Sequence, residues 1–240
     1  MNAMKTKSRW EIAQQYEKEW WDTRREHIDC DFYRAYAQEL ERQLAGILAI
    51  QEETPILEIG SGAAGIITFL PSEIKCAIDP LEYFYGSVPG FVKARDSRVE
   101  YHTAKAEALP FENNRFRMII MDNVLDHCDD LNSIFAEMSR VLQGAGIVYL
   151  RLNVYTFWGK FVRKLVEKLK IDPGHPYTFT IRSLRSIVED HQFDMIKMEE
   201  PGFWRTWRKE LRSLKPKEWL KAVTFSTPNK VTFILRLVER

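Results

Sequence analysis

The sequence predicts an α/β fold: a doubly wound, seven-stranded, mostly parallel sheet with an antiparallel terminal hairpin and helical additions at the N-terminus and as a lid. Three observations predict it. Short, β-rich apolar runs alternate with helical segments between residues 56 and 152, at the pitch of right-handed βαβ crossovers. The first run, Ile56 to Ile59, opens directly into the glycine turn Gly60-Ser61-Gly62-Ala63-Ala64-Gly65, and the second ends on an acid, Asp79. With 240 residues, 45% of them hydrophobic, the chain is long enough for one sizeable core with an appended lid and too short for two full domains. Residues 1–50 read as a helical cap. Residues 51–240 read as the main body, with insertions at about 155–179 and 203–228.

Each element has its own signal. From Trp10 to about Ile50, apolar residues recur at helical spacing (Ile12, Tyr16, Trp20, then Phe32, Tyr36, Leu40, Leu44, Leu48), which predicts two helices before the first strand. Ile56 to Ile59 is short and wholly apolar but for Glu58, as expected of a strand covered on both faces. A helix from about Ala63 to Phe69 follows, stopped by Pro71. Further strands are expected at Ile74–Ile78, Val99–His102, Phe116–Met121 and Gly146–Leu152. Between the last two, Leu131 to Leu142 forms a helix with Leu131, Ile134, Phe135, Met138, Val141 and Leu142 on one face. After Leu152 come a basic amphipathic segment Phe157–Lys170, a Pro/Gly loop around His175, a helix Thr180–Asp190 and a strand Phe193–Met198. A second basic segment, Trp204–Lys221, precedes the last strand, Lys230–Leu237.

Composition excludes several classes. A net charge of +1, from 35 basic and 34 acidic residues, gives no whole-chain reason to expect nucleic acid as a partner. Cys30, Cys76 and Cys128 are widely spaced and include no C-x-x-C pair, so neither a disulfide framework nor a metal site is expected. No apolar run reaches the roughly 20 residues of a membrane span, and Met1–Arg9 lacks the apolar core of a secretory signal, so a cytoplasmic protein is expected.

The glycine turn matches G-x-G-x-x-G, where glycine allows positive φ and close approach of a ligand to bare backbone. Asp79, 19 residues after Gly60, stands where a carboxylate accepts hydrogen bonds from a ribose diol. A nicotinamide dinucleotide meets this spacing, and Tyr101-His102-Thr103-Ala104-Lys105 even reads Y-x-x-x-K, the acid/base pair of short-chain dehydrogenases. That pair needs a helix to bring i and i+4 together, whereas here it falls on or beside a strand, where four residues span about 13 Å. Glu58, two residues before the first glycine, serves to hold a turn or a cationic ligand, and so favours a positively charged cofactor.

Four blocks in order then carry a family likeness: Ile56-Leu57-Glu58-Ile59-Gly60-Ser61-Gly62, Ala77-Ile78-Asp79-Pro80, Ala106-Glu107-Ala108-Leu109-Pro110-Phe111 and Arg140-Val141-Leu142-Gln143-Gly144-Ala145-Gly146. Over Ile56 to Leu152 the chain resembles the class I S-adenosylmethionine-dependent methyltransferases, specifically the small-molecule group with a GDAExLPF segment, whose fold is Rossmann-like. The resemblance implies S-adenosylmethionine as cofactor and S-adenosylhomocysteine as product. It implies that Glu58, Gly60, Ser61 and Gly62 line the methionine end, Asp79 and Pro80 the ribose, and Ala106, Glu107 and Ala108 the adenine. Met121, Asp122 and Asn123 would meet the cofactor beside the acceptor, and Tyr16 and Trp21, with Trp20, would close over it. The chain departs from the pattern at Ala64 (third glycine), Lys105 (an aspartate near adenine), Arg117 (an aspartate of the fourth strand) and Ala145 (a glycine).

Methyl transfer from a sulfonium needs alignment and exclusion of water more than acid/base help. If a proton must leave the acceptor, His127 and His175 are the candidates. Asp126, Asp129 and Asp130 are more simply read as a helix start, with Asp129 or Asp130 as N-cap, than as a metal cluster. Phe157–Lys170 carries five basic residues and one acid; Trp204–Lys221 carries seven and two. Both segments fall where such a fold varies its acceptor pocket, and they suit a small or lipid-like acceptor, an anionic substrate or a membrane surface. An adenine-amino methyltransferase of nucleic acid is disfavoured by the lack of an Asn/Asp-Pro-Pro-Tyr segment after the fourth strand. A cofactor-binding regulator without catalysis and a nicotinamide oxidoreductase remain as other function classes.

Overall fold

The computed structural model describes residues 9–25, 28–168 and 177–238. Seven strands form one sheet in the order β3-β2-β1-β4-β5-β7-β6. They are β1 (Ile56–Ile59), β2 (Lys75–Ile78), β3 (Val99–His102), β4 (Phe116–Asp122), β5 (Leu142–Val154), β6 (Phe193–Glu199) and β7 (Asn229–Leu237). Strands β1 to β5 pair in parallel, while β7 runs antiparallel to both β5 and β6. The order reverses beside β1, which lies between β2 and β4. That reversal opens a crevice at the carboxyl ends of these strands, the place where open α/β sheets bind ligands.

Strand alternation assigns each β1 residue a face. Leu57 and Ile59 join a core with Ile119 and Met121 of β4 and with Ile134, Phe135 and Met138 of the helix Leu131–Val141. Ile56 faces the other way, with Met118 and Ile120, under Ala37, Leu40 and Leu44 of the helix Cys30–Leu44. Leu40 and Leu44 are fully buried, worth about 1.5–3 kcal/mol each. Asp29 starts this helix by accepting from the Phe32 N–H at 3.0 Å. Glu58 shares the face of Ile56, so its carboxylate is delivered beneath the turn that follows β1.

The helices, in order, are α1 (Arg9–Asp22), α2 (Cys30–Leu44), α3 (Glu82–Tyr85), α4 (Pro89–Ala94), α5 (Leu131–Val141), α6 (Phe157–Lys168), α7 (Ile181–Asp190), α8 (Phe203–Leu211) and α9 (Pro216–Val223). Several expectations are corrected. The helix expected over Ala63–Phe69 is only a 3₁₀ turn, Ile66–Phe69, because Gly65 sits at φ 79°, ψ 156°, outside helical space. The apolar series Ile12, Tyr16, Trp20 lies on a helix as expected, α1. Those residues are exposed, and the face turned inward carries Trp10, Ala13, Gln14, Glu17 and Trp21. Strand β5 begins at Leu142, straight out of α5, through Ala145 at φ 53°. Helices α3 and α4 carry too few residues for a periodic signal and were not expected. The segment Trp204–Lys221 divides into α8 and α9 at Pro216, which fits the first turn of a helix and not its interior.

Candidate active site

The carboxyl ends of β1, β2 and β4 open into a cavity of about 460 Å³, within the range of roughly 300–1,000 Å³ of small-molecule sites. Its floor is the glycine turn. Gly60 and Gly62 adopt φ of 72° and 59°, so the turn requires glycine. The space each frees is taken by the protein itself. A Cβ on Gly60 would lie 2.2 Å from Val124 Cγ2, and one on Gly62 would lie 3.2 Å from the Trp21 ring. These glycines admit Val124 from the β4 loop and Trp21 from α1, and both line the cavity. Gly65 has a different partner, since a Cβ there would come 2.4 Å from Glu58 Oε2.

Glu58 holds the turn. Its two oxygens accept from Ile66 N at 3.1 Å and Ile67 N at 2.9 Å, the free N–H groups that open the 3₁₀ turn. Burial raises its pKa to about 8, against the opposing pull of the Ile67 and Ile66 N–H groups. Asp79 is organised in the same way. Oδ2 accepts from Gly62 N at 3.0 Å and Oδ1 from Leu81 N at 2.8 Å, which ties the end of β2 to the glycine turn. Burial raises its pKa to about 6, with the Leu81 and Gly62 N–H groups lowering it. Each oxygen keeps further acceptor capacity, and Asp79 lines the cavity.

Most sequence-predicted residues converge here. Glu58, Gly60, Ser61, Gly62, Asp79, Pro80, Ala106, Glu107, Asp122, Asn123, Tyr16, Trp21 and His127 all line the cavity. Two do not. Met121 points into the core shared by the sheet and α5, because alternation along β4 turns it away from the face of Met118 and Ile120. Ala108 is exposed, its N–H closing a turn onto Lys105 O. His175 lies outside the described residues. The side chain of Glu107 reaches past the cavity to accept from Asp129 N at 2.9 Å. Asp130 is the N-cap of α5, accepting from Asn132 N and Ser133 Oγ.

Asp122 is held by Arg151 through two hydrogen bonds, at 3.0 and 2.6 Å. Arg151, buried on β5, also stacks over the Tyr36 ring. Lys230, at the start of β7, donates to Tyr36 Oη at 2.8 Å and lies 3.7 Å from Asp122. Asn153 donates to Asn123 at 2.8 Å, and His127 Nε2 lies 3.8 Å from Asp126 Oδ1. Sequence reasoning missed Lys230, Gln14, Glu17 and the aromatic wall of Phe32, Tyr33 and Tyr36. For Gln14 and Glu17 a signal existed: Trp10, Gln14, Glu17 and Trp21 share one face of α1, where polar groups interrupt an inward stripe.

Helix α1 roofs the cavity. Lys105 sits over the Trp10 ring at 3.4 Å and Trp21 packs edge-on against Tyr85 and Phe91. The lysine that stands in place of an aspartate thus fastens the roof. Tyr101 gives its hydroxyl to Ala64 O at 2.7 Å, so it and Lys105 form no acid/base pair.

The residues present fit an adenosyl cofactor. Among the described residues, Gln14 Oε1 is a buried acceptor without a hydrogen-bond partner on the cavity wall, suited to a ligand N–H. Beside it the site offers the spare acceptor capacity of Asp79, aromatic faces and the acid Glu58 in an enclosed space. The sheet, with its crevice beside β1 and β7 antiparallel between β5 and β6, matches the Rossmann-like methyltransferase fold. Residues 57–150 match the family model described as "Methyltransferase domain", and over that segment the chain is similar to S-adenosylmethionine-dependent methyltransferases. YrhH of Bacillus subtilis (strain 168), assigned as a methyltransferase, is 23% identical over 150 residues, covering 58% of this chain and 82% of that protein. The YcgJ protein of Bacillus subtilis superposes with a TM-score of 0.61 at 17% identity, over 86% of this chain and all of that one. Geranyl diphosphate C-methyltransferase from Streptomyces coelicolor A3(2) gives 0.64 at 14% identity, over 85% and 79%. The Haemonchus contortus phosphoethanolamine N-methyltransferase 2 gives 0.63 at 15% identity, over 85% of this chain and 53% of that one.

Proposed function

We propose that this protein transfers the methyl group of S-adenosylmethionine to a small or lipid-like acceptor that carries an anionic group, with Lys230 as the anion's anchor. The cofactor supplies a methyl group already activated as a sulfonium. Asp79 would take the ribose hydroxyls, Glu107 and Ala106 would border the adenine, and Asp79 would set a negative field around the sulfonium, to which Glu58 adds as it ionises toward pH 8. α1 excludes water through Trp21 and the Lys105–Trp10 contact.

The observation that carries the acceptor reading is one wall of the cavity. Aromatic rings of Phe32, Tyr33 and Tyr36 line it, and Lys230 stands at its edge among them. This combination suits an apolar body with one anionic end. Two structural relatives with an acceptor bound support this reading, since geranyl diphosphate and phosphomonomethylethanolamine, bound in those proteins, both carry phosphate. His127 is the base candidate for an acceptor that must lose a proton. The test is a screen of paired acceptors, phosphorylated and not, followed by the mass gain of one methyl group. Lys230→Ala should raise KM for the phosphorylated acceptor about tenfold or more with little change in kcat. Methylation of only uncharged acceptors, unaffected by that change, would refute the anionic reading.

A further inference from the structure

We infer that the face built by α6, α8 and α9 docks on an anionic lipid bilayer. The three helices form one unit: Trp158 Nε1 of α6 donates to Thr224 O, just after α9, at 3.1 Å, and Trp207 Nε1 of α8 donates to Ala222 O at 2.8 Å. On that unit large apolar side chains point into solvent. Phe157 is 87% exposed and Leu214, between α8 and α9, wholly so, with Phe161, Trp204, Trp219 and Leu220 each about half exposed or more. Single exposed apolar residues need no explanation, but a cluster on adjoining helices marks an interaction surface.

Charge complementarity selects the occupant. Phe157–Lys170 and Trp204–Lys221 together hold twelve basic and three acidic residues, whereas the whole chain is nearly balanced at 35 and 34. These two segments are therefore far richer in basic charge than the rest of the sequence. Arg205, Arg208, Lys209, Arg212, Lys217 and Lys221 are exposed beside the apolar cluster. Aromatic and aliphatic side chains ringed by Lys and Arg are what an anionic lipid interface recognises, since the rings sit at headgroup level while the cations meet the lipid phosphates. Aliphatic Leu214 and Leu220 would gain nothing from a nucleic acid, where stacking on rings does the work. Placement fits as well: α6 leaves the carboxyl end of β5, and β7, which carries Lys230, follows α9, so the face adjoins the cavity's end of the sheet. The inference stands apart from the reading of the cavity, because binding to lipid requires neither cofactor nor acceptor.

The test is co-sedimentation of the full chain with vesicles of pure phosphatidylcholine and of phosphatidylcholine with 30% phosphatidylglycerol, with a single-stranded oligonucleotide as competitor. Binding is expected to the anionic vesicles alone and to weaken with salt. Phe157→Ser with Leu220→Ser, and separately Lys217→Glu with Lys221→Glu, should each lower the affinity at least tenfold with far-UV circular dichroism and thermal midpoint unchanged. Because all four side chains are exposed, a folded variant is expected. Absence of binding to anionic vesicles, equal binding to neutral ones, unchanged binding by both folded variants, or displacement by the oligonucleotide at lower concentration than by soluble lipid headgroup would each overturn the proposal.

Discussion

At the residue scale, two buried acids do structural and electrostatic work together. Glu58 has a pKa raised to about 8, so the native state holds this proton more tightly than the unfolded chain. Its contribution to stability is therefore full below the ordinary carboxylate range and is lost as pH rises toward 8. Asp79, raised to about 6, acts with the same sign over the lower part of that window. Asp96 and Glu137 are shifted downward by their partners, and so change charge below it. The thermal midpoint of the ligand-free protein should then fall between pH 5 and 9. Glu58→Gln should flatten that fall whatever it does to the absolute midpoint; an unchanged slope would rule out the buried acid as its source. The same ionisation makes the cavity more negative, so S-adenosylmethionine, a sulfonium, should gain affinity relative to neutral-sulfur S-adenosylhomocysteine as pH rises from 6 to 8.5. Calorimetric titration of both ligands at the two pH values reads this directly, and a constant ratio would count against it.

At the scale of elements, the chain's departures from its family pattern have different physical weights. Gly65 is where glycine cannot be replaced, because its φ and ψ lie in a glycine-only region and Glu58 fills the Cβ position. Gly65→Ala should cost about 3 kcal/mol or more, read by urea unfolding. Ala145 has the opposite status, a side chain held at φ 53° where the family pattern has glycine. Ala145→Gly should stabilise by about 0.5–1 kcal/mol, and destabilisation would show that the strain is absent. Arg117 lies near the start of β4, donating to Gly144 O at 2.9 Å, at the far end of the strand from the cavity. The blocks Ala106–Phe111 and Arg140–Gly146 resemble the family for a local reason: Arg140 donates to Leu109 O and Phe111 O, while Glu137 accepts from Leu109 N. The central strands β1, β2 and β4 were legible because each is a short, largely apolar run followed by a breaker or an acid. The glycine turn misled about a helix because a motif states residue types and not φ.

At the scale of the whole molecule, the sheet reversal beside β1 gathers into one cavity residues that are far apart in sequence, from Trp10 on α1 to Lys230 on β7. The floor of that cavity was legible, since Glu58, the glycine turn and Asp79 are contiguous with strands. The acceptor wall was not, because Phe32, Tyr36 and Lys230 meet only through the antiparallel return of β7 onto β5. The central claim is that the cavity is an S-adenosylmethionine site anchored by Asp79. Isothermal titration with S-adenosylmethionine, S-adenosylhomocysteine and NAD, on the native chain and on Asp79→Asn, tests it most directly. One site for each adenosyl ligand, no heat with NAD and at least a tenfold loss in the folded variant are predicted; heat with NAD alone, or adenosyl binding indifferent to Asp79, would contradict it.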